Sequence, residues 1–274
     1  MSARQGTSDG VPVPILMYHS VAHEPSEATR RLSVAPGQFA EQMELLGARG
    51  YTPLTTADLA GIWRGGGRVL PDRPVLITFD DGYEGVHRYA LPALTAQGFP
   101  ATVFVSTGWL RGPYDTGGGL DTMLDWTQVR ALAAHGVEIG GHTHTHPQLD
   151  QLGDKELEFE LLHCREIVAA ELGGQPVSFA YPYGHSDRRV RRAVRAAGFA
   201  QSLAVGNDLA RRRQGPYALR RVTVRRSTGI AEFERLVEGR AIGRHFARER
   251  ALTKGYAVVR RARQARRKAI RTRV

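Results

Sequence analysis

Three apolar runs in this chain stop abruptly against polar sequence. "VLITF" (75–79) runs into Asp-Asp-Gly, "VEIGG" (137–141) into His-Thr-His-Thr-His, and "VSFAY" (177–181) into Pro-Tyr-Gly. Each run is short, continuous and apolar, as a strand covered on both faces must be. "VPILMY" (13–18), "ATVFV" (101–105) and "AQSLAV" (200–205) have the same character. Between the runs lie amphipathic stretches at 35–50, 125–136, 154–174 and 186–198. The first two end on a glycine, the second opens on capping residues, and the third puts Leu157, Leu161, Cys164 and Val168 on one face. Strand-then-helix repetition predicts an α/β fold with a parallel sheet, open or closed into a barrel. In such folds the C-terminal strand ends share one rim, where residues far apart in sequence meet.

Composition narrows the chemistry. The single cysteine, Cys164, excludes an internal disulfide and a cysteine-based zinc site. The N-terminal stretch lacks the order of a secretory signal, and no run approaches the ~20 apolar residues of a membrane span, so a cytoplasmic protein is expected. The net charge of +11 suggests nucleic acid until it is located. Residues 240–274 hold thirteen Lys/Arg and one Glu, which leaves 25 Lys/Arg against 26 Asp/Glu in the rest. The basicity belongs to a tail.

The three strand ends carry the functional candidates. Imidazole is the commonest protein metal ligand. On a strand His142, His144 and His146 would share a face; on a helical turn only His142 and His146 would. Asp80 and Asp81 are neighbours at a strand end, so on extended backbone they point in opposite directions and can do two jobs. Alone, Asp-Asp-Gly is also ordinary turn sequence, and so is the Pro-Tyr-Gly that follows Tyr181.

Taken together, Thr-Phe-Asp-Asp-Gly at 78–82, His-Thr-x-x-His at 142–146 and Tyr-Pro-Tyr-Gly at 181–184 resemble the polysaccharide deacetylase family, also called the NodB-homology or carbohydrate esterase 4 family. The resemblance runs from about residue 12 to 226. It implies a distorted (β/α) barrel and hydrolysis of the acetamide of an N-acetylated sugar. It also implies one divalent metal on Asp81, His142 and His146: zinc first, with cobalt, nickel or iron as alternatives. Two histidines and one aspartate leave a coordination position open, as a hydrolytic site requires, and His144 is expected to be a hydrogen-bonded loop residue. Asp80 is the implied general base, and the Tyr183 N–H the implied oxyanion donor. The catalytic acid of many members, a histidine late in the domain, is missing here. His19, after the first apolar run, is the expected substitute, as in the branch whose last active-site strand has moved to the N-terminus. Trp126, Tyr181, Pro182 and Gly184 are the substrate-contact candidates.

One position departs from the family. Where many members pair an arginine with the base, this chain has Ala180, and Arg220 or Arg221 is the candidate replacement. The expected organisation is a flexible 1–11, a catalytic domain over 12–239 and a basic tail over 240–274. That tail, with Leu252, Tyr256, Val259 and Ala262 at helical spacing, suits an anionic membrane surface better than nucleic acid. The competing functions are hydrolysis of a non-sugar amide at the same metal site, a glycan-binding protein without turnover, and nucleic-acid binding through the tail.

Overall fold

The computed structural model describes residues 10–240, 242–247, 251 and 260. Nine strands form one sheet: β1 (Ile15–Tyr18), β2 (Thr52–Leu54), β3 (Pro74–Phe79), β4 (Thr102–Val105), β5 (Glu138–Gly141), β6 (Ser178–Ala180), β7 (Gln201–Leu203), β8 (Tyr217–Leu219) and β9 (Val222–Thr223). All pair in parallel, in the order β8-β7-β6-β5-β4-β3-β1-β9, with β2 added to β3. The two edge strands, β8 and β9, are consecutive in sequence, with only Arg220 and Arg221 between them. Three Cα steps reach at most ~11 Å. The sheet must therefore curl until its edges almost meet, which is a distorted (β/α) barrel.

Side chains alternate across the curled sheet with period two. Val75, Ile77 and Phe79 face outward, where they pack with Leu16 and Tyr18 against helical residues such as Phe39, Met43 and Val129. Leu76 faces inward with Ile15, Phe104, Ala180, Leu203 and Leu219. The same alternation turns Thr78 and Asp80 inward behind Leu76, and Met17 and His19 inward behind Ile15. The outer layer comprises α1 (Pro36–Ala48), α3 (Leu91–Gln97), α4 (Trp126–Ala134), α5 (Asp154–Leu172), α6 (Arg188–Ala196) and α7 (Ile230–Val237). The remaining long helix, α2 (Thr56–Trp63), plugs the barrel bottom. Its first N–H groups bond Thr102 Oγ1 at 3.0 Å and Glu138 at 2.8 Å, and Leu59 joins the inner cluster. With the bottom sealed, the open end is the rim formed by the C-terminal strand ends.

Two expectations need correction. A domain end at 239 falls inside packed structure. The short α8 (Ile242–His245) follows, and Ile242 and Phe246 bury against Val222 and Leu236. Trp126 is no sugar platform: a capping box between Asp125 and Gln128 starts α4 there and turns the indole into the core, where it is 4% exposed and meets Tyr114 edge-on. The proposed amphipathic helix at 252–262 lies outside the described residues except for Arg260. No helix among the described residues is long and apolar enough to cross a membrane.

Candidate active site

β3 ends in the Asp80–Asp81 pair, and the chain turns there. Asp81 takes φ 74°, in the left-handed region, and Gly82 follows at φ 95°, where a Cβ would sit 2.8 Å from Leu110 Cδ2. Left-handed backbone costs a non-glycine residue on the order of 1–3 kcal/mol and concentrates at functional sites. Among the described residues, five non-glycines adopt it: Asp81, Thr143, His146, Tyr183 and Asn207. Four of them line one cleft of about 310 Å³, and Thr143 lies inside the histidine motif.

The bend at Thr143 and His146 answers the histidine question. It brings His146 back beside His142, with ring centroids 4.9 Å apart, and leaves His144 behind. His144 shares a 2.9 Å hydrogen bond with Thr107 and lies edge-on to His163. The Glu160 carboxylate on α5 secures the turn by accepting from the N–H groups of His144 and Thr145, at 2.8 and 2.9 Å, and from the Thr145 hydroxyl.

Asp81, His142 and His146 converge, each offering one ligand atom within 4.8 Å of the others. Asp81 Oδ1 lies 3.3 Å from Nε2 of both histidines and is buried without a hydrogen-bond partner. His142 Nδ1 sits 2.7 Å from the Ala180 carbonyl, which places the ring proton on that side and leaves Nε2 as an acceptor. Acceptors facing acceptors in a buried corner are what a divalent cation satisfies, so the residues present fit a metal. Burial raises the Asp81 pKa, but the two imidazoles outweigh it and hold the carboxyl well below the usual range. Burial lowers the His142 pKa, but Asp80 and Asp81 more than reverse that, so protons compete with a cation for this ring.

Asp80 faces a different partner. Both its oxygens accept from Arg221, at 2.7 Å each, in a fully buried bidentate pair. The same guanidinium donates to Thr78 Oγ1 at 3.3 Å and lies 5.7 Å from the Phe104 ring centre. Arg221 therefore occupies the role left open at Ala180. Arg220 points outward, paired with Asp208. Burial raises the Asp80 pKa, but Arg221, with His142 and His19, keeps it below the ordinary carboxylate value. Thus two adjacent carboxylates are held below the ordinary carboxylate pKa by different partners, Asp81 by two imidazoles and Asp80 chiefly by Arg221.

His19, at the exit of β1, lines the same cleft, and its Nδ1 is buried without a partner. Burial lowers its pKa, with Asp81 and Asp80 pulling the other way. Tyr183 lines the cleft at φ 60°, its ring half-exposed and 4.8 Å from that of His146. Gly184 must be glycine, because a Cβ there would lie 2.5 Å from Val205 Cβ. The other contact candidates are spent elsewhere. Tyr181 touches the cleft wall, but its hydroxyl bonds Ser202 at 2.7 Å and the Tyr217 carbonyl at 3.1 Å, and Pro182 is buried outside the lining. A further aromatic at the metal corner, beside Tyr183, is Trp109, 4.4 Å from the His146 ring. Applying the strand-end rule to β4 would have found it, since Trp109 lies four residues past Val105. Tyr83, directly after the Asp-Asp-Gly turn, was likewise missed.

Comparison with known proteins covers the stretch that carries Asp80, Asp81, His142, His146 and Tyr183. Residues 67–202 match the family profile described as polysaccharide deacetylase. The Bacillus subtilis protein YxkH, provisionally assigned as a polysaccharide deacetylase, is 29% identical over 80% of this chain and 73% of its own length. The Escherichia coli poly-β-1,6-N-acetyl-D-glucosamine N-deacetylase is 24% identical over 80% of this chain, which spans only 37% of that larger protein. Among solved structures, the Streptococcus pyogenes deacetylase PplD superposes with a TM-score of 0.74 at 22% identity, covering 83% of this chain and 98% of that one. At that identity the superposition speaks for a shared fold.

Proposed function

Residues 67–202 of this chain belong to the polysaccharide deacetylase family, and from that premise we propose that the protein hydrolyses the acetamide of an N-acetylated sugar at one divalent metal ion, zinc by preference. The observation that carries the reading is the convergence of Asp81, His142 and His146 directly beside an Asp80 clamped by Arg221. The His₂Asp set leaves a position open for substrate and suits zinc, while also accepting cobalt, nickel or iron. When bound, the ion supplies Lewis acidity that polarises the acetamide carbonyl and makes water easier to deprotonate.

The chain's own residues do the rest. Asp80 is ionised and held by two hydrogen bonds, so it receives the proton of the attacking water in a defined direction. The Tyr183 N–H stabilises the oxyanion that forms as the carbon–oxygen bond is made. His19 delivers a proton to the sugar nitrogen as the carbon–nitrogen bond breaks, giving acetate and a free amine. Burial lowers the His19 pKa on balance, and the Asp81 and Asp80 carboxylates offset part of that loss of the protonated form this step needs. Trp109 and Tyr183, flanking His146, supply apolar faces for the sugar and its acetyl methyl. The case for a non-sugar amide drew on the missing arginine at Ala180, and the Arg221–Asp80 pair weakens that argument. An intact set of ligands, base and acid equally disfavours a binding protein without turnover.

The test is acetate release from N-acetylglucosamine oligomers by the zinc-loaded chain, beside His19→Ala. Wild-type release that falls about 10²-fold or more in His19→Ala, with metal content unchanged, supports the assignment of the acid. A folded, metal-loaded wild type that releases no acetate from such oligomers contradicts the proposed reaction.

A further inference from the structure

The loop leaving β1 and the loop leaving β4 are tied together across the end of β3. The Ser26 N–H and the Thr29 hydroxyl both donate to Asp121 Oδ2 at 2.8 Å, and the Ser26 hydroxyl donates to the Leu120 carbonyl at 2.8 Å. The second loop is also fastened to the exit of β3. Glu84 N–H bonds the Thr122 carbonyl and Leu124 N–H the Gly82 carbonyl, at 2.9 Å each, with a bridge between Tyr83 and Met123. β3 lies between β1 and β4 in the sheet, so this assembly crosses directly over the strand that carries Asp80 and Asp81.

The crossing is a wall between two cavities. On its inner side Thr29, Leu32 and Leu120 line the 310 Å³ cleft that holds the metal corner. On its outer side Asp121, Glu84, Arg88 and His23 line a second hollow of about 270 Å³. Hydrogen bonds to a carboxylate are among the stronger ones, and main-chain pairing secures the opposite flank, so the wall is a built feature.

We propose that this clasp makes the cleft blind on the β3 side, so that the site takes the end residue of an N-acetylated glycan, or a small glycoconjugate, and not a residue inside a long chain. The inference rests on the deacetylase reading above. A sugar bound from within a polymer needs two exits from the site, one for each neighbour. The clasp closes the exit over β3, and the cleft is at the small end of the range for ligand pockets. Opening the clasp would join the two hollows into a longer groove. Ser26, Thr29 and Asp121 are therefore specificity-determining residues.

The experiment gives the zinc-loaded full chain N-acetylglucosamine oligomers of graded length and locates each free amine by tandem mass spectrometry. Wild type is expected to deacetylate a terminal residue at every length. Asp121→Ala is expected to raise the ratio of interior to terminal deacetylation on the longer oligomers by about tenfold or more. Thr29→Val, a near-isosteric change that removes one donor, is expected to shift that ratio in the same direction by less, and it serves if Asp121→Ala does not fold. Interior free amines in wild-type product, or folded clasp variants that keep the terminal pattern, overturn the clasp alone. No acetate from any oligomer overturns the deacetylase reading, and the clasp inference with it.

Discussion

Asp80 and Asp81 are neighbours in sequence, yet they belong to two regions of the molecule assembled in opposite ways. The metal corner takes Asp81 from one strand end and two histidines from a five-residue motif at another. The base corner takes Asp80 from the same strand end and its partner, Arg221, from 141 residues away. The left-handed turn at Asp81 separates the two: it sends one carboxylate to the histidines and leaves the other facing the barrel interior. The first corner is held by backbone strain and a short motif. The second depends on closure of the whole sheet, because Arg221 reaches Asp80 only where β8 returns to β9.

That contrast predicts which region fails when each is damaged. The largest effect falls on the base corner. Arg221→Met leaves Asp80 buried without a cation, and removing one member of a buried pair costs about 3–5 kcal/mol. Chemical denaturation should register that loss, and adding Asp80→Asn to Arg221→Met should recover part of it by removing the stranded charge. The pH dependence follows from the same pair. Arg221 lowers the Asp80 pKa, so the bridge stabilises the fold above the ordinary carboxylate pKa and loses that contribution as pH falls through the lowered value. In Arg221→Met, the acid limb of kcat/KM should move to higher pH, because Asp80 then holds its proton longer.

A smaller effect is expected at the metal corner from Glu160→Gln. The carboxylate that accepts three hydrogen bonds from the His144–Thr145 turn becomes an amide with one acceptor oxygen. Groups that orient ligands contribute about 10–100-fold to metal affinity, and competition with a chelator should show a loss in that range with Asp80 and Arg221 unaffected. The least effect is expected from His185→Gln, outside both corners. Burial and then the Arg260 guanidinium push the His185 pKa down to about 4. The unfolded chain takes up this proton below about 6.5 and the folded chain only near 4, so stability is lost as pH falls through that window. His185→Gln should show a smaller drop in Tm between pH 7 and pH 5 than wild type.

The same contrast explains what was legible in the sequence. The candidate metal ligands could be picked out because they stand at or just past the ends of short apolar runs. The parallel sheet and its shared rim followed from the same runs, while closure into a barrel followed from the family resemblance. β2, β8 and β9 are only two or three residues long, too short for any periodicity, and they were missed. The choice between Arg220 and Arg221 depends on period-two alternation across the link from β8 to β9, and no nearby apolar pattern sets that phase. Trp126 was misread because an aromatic at the first position of a helix can face either way until its packing partners are known. Trp109 was missed because the glycine-rich stretch after it reads as a surface loop, although it folds back so tightly that a Cβ on Gly118 would meet the indole.

The proposed reaction needs two adjacent carboxylates with separate tasks. The most direct test is to measure bound zinc per chain and acetate release together in wild type, Asp81→Ala and Asp80→Asn. The prediction is one ion per chain in wild type and in Asp80→Asn, little or none in Asp81→Ala, and acetate release in wild type alone. An Asp81→Ala protein that keeps its metal and turns over, or an Asp80→Asn protein that loses its metal, would contradict it.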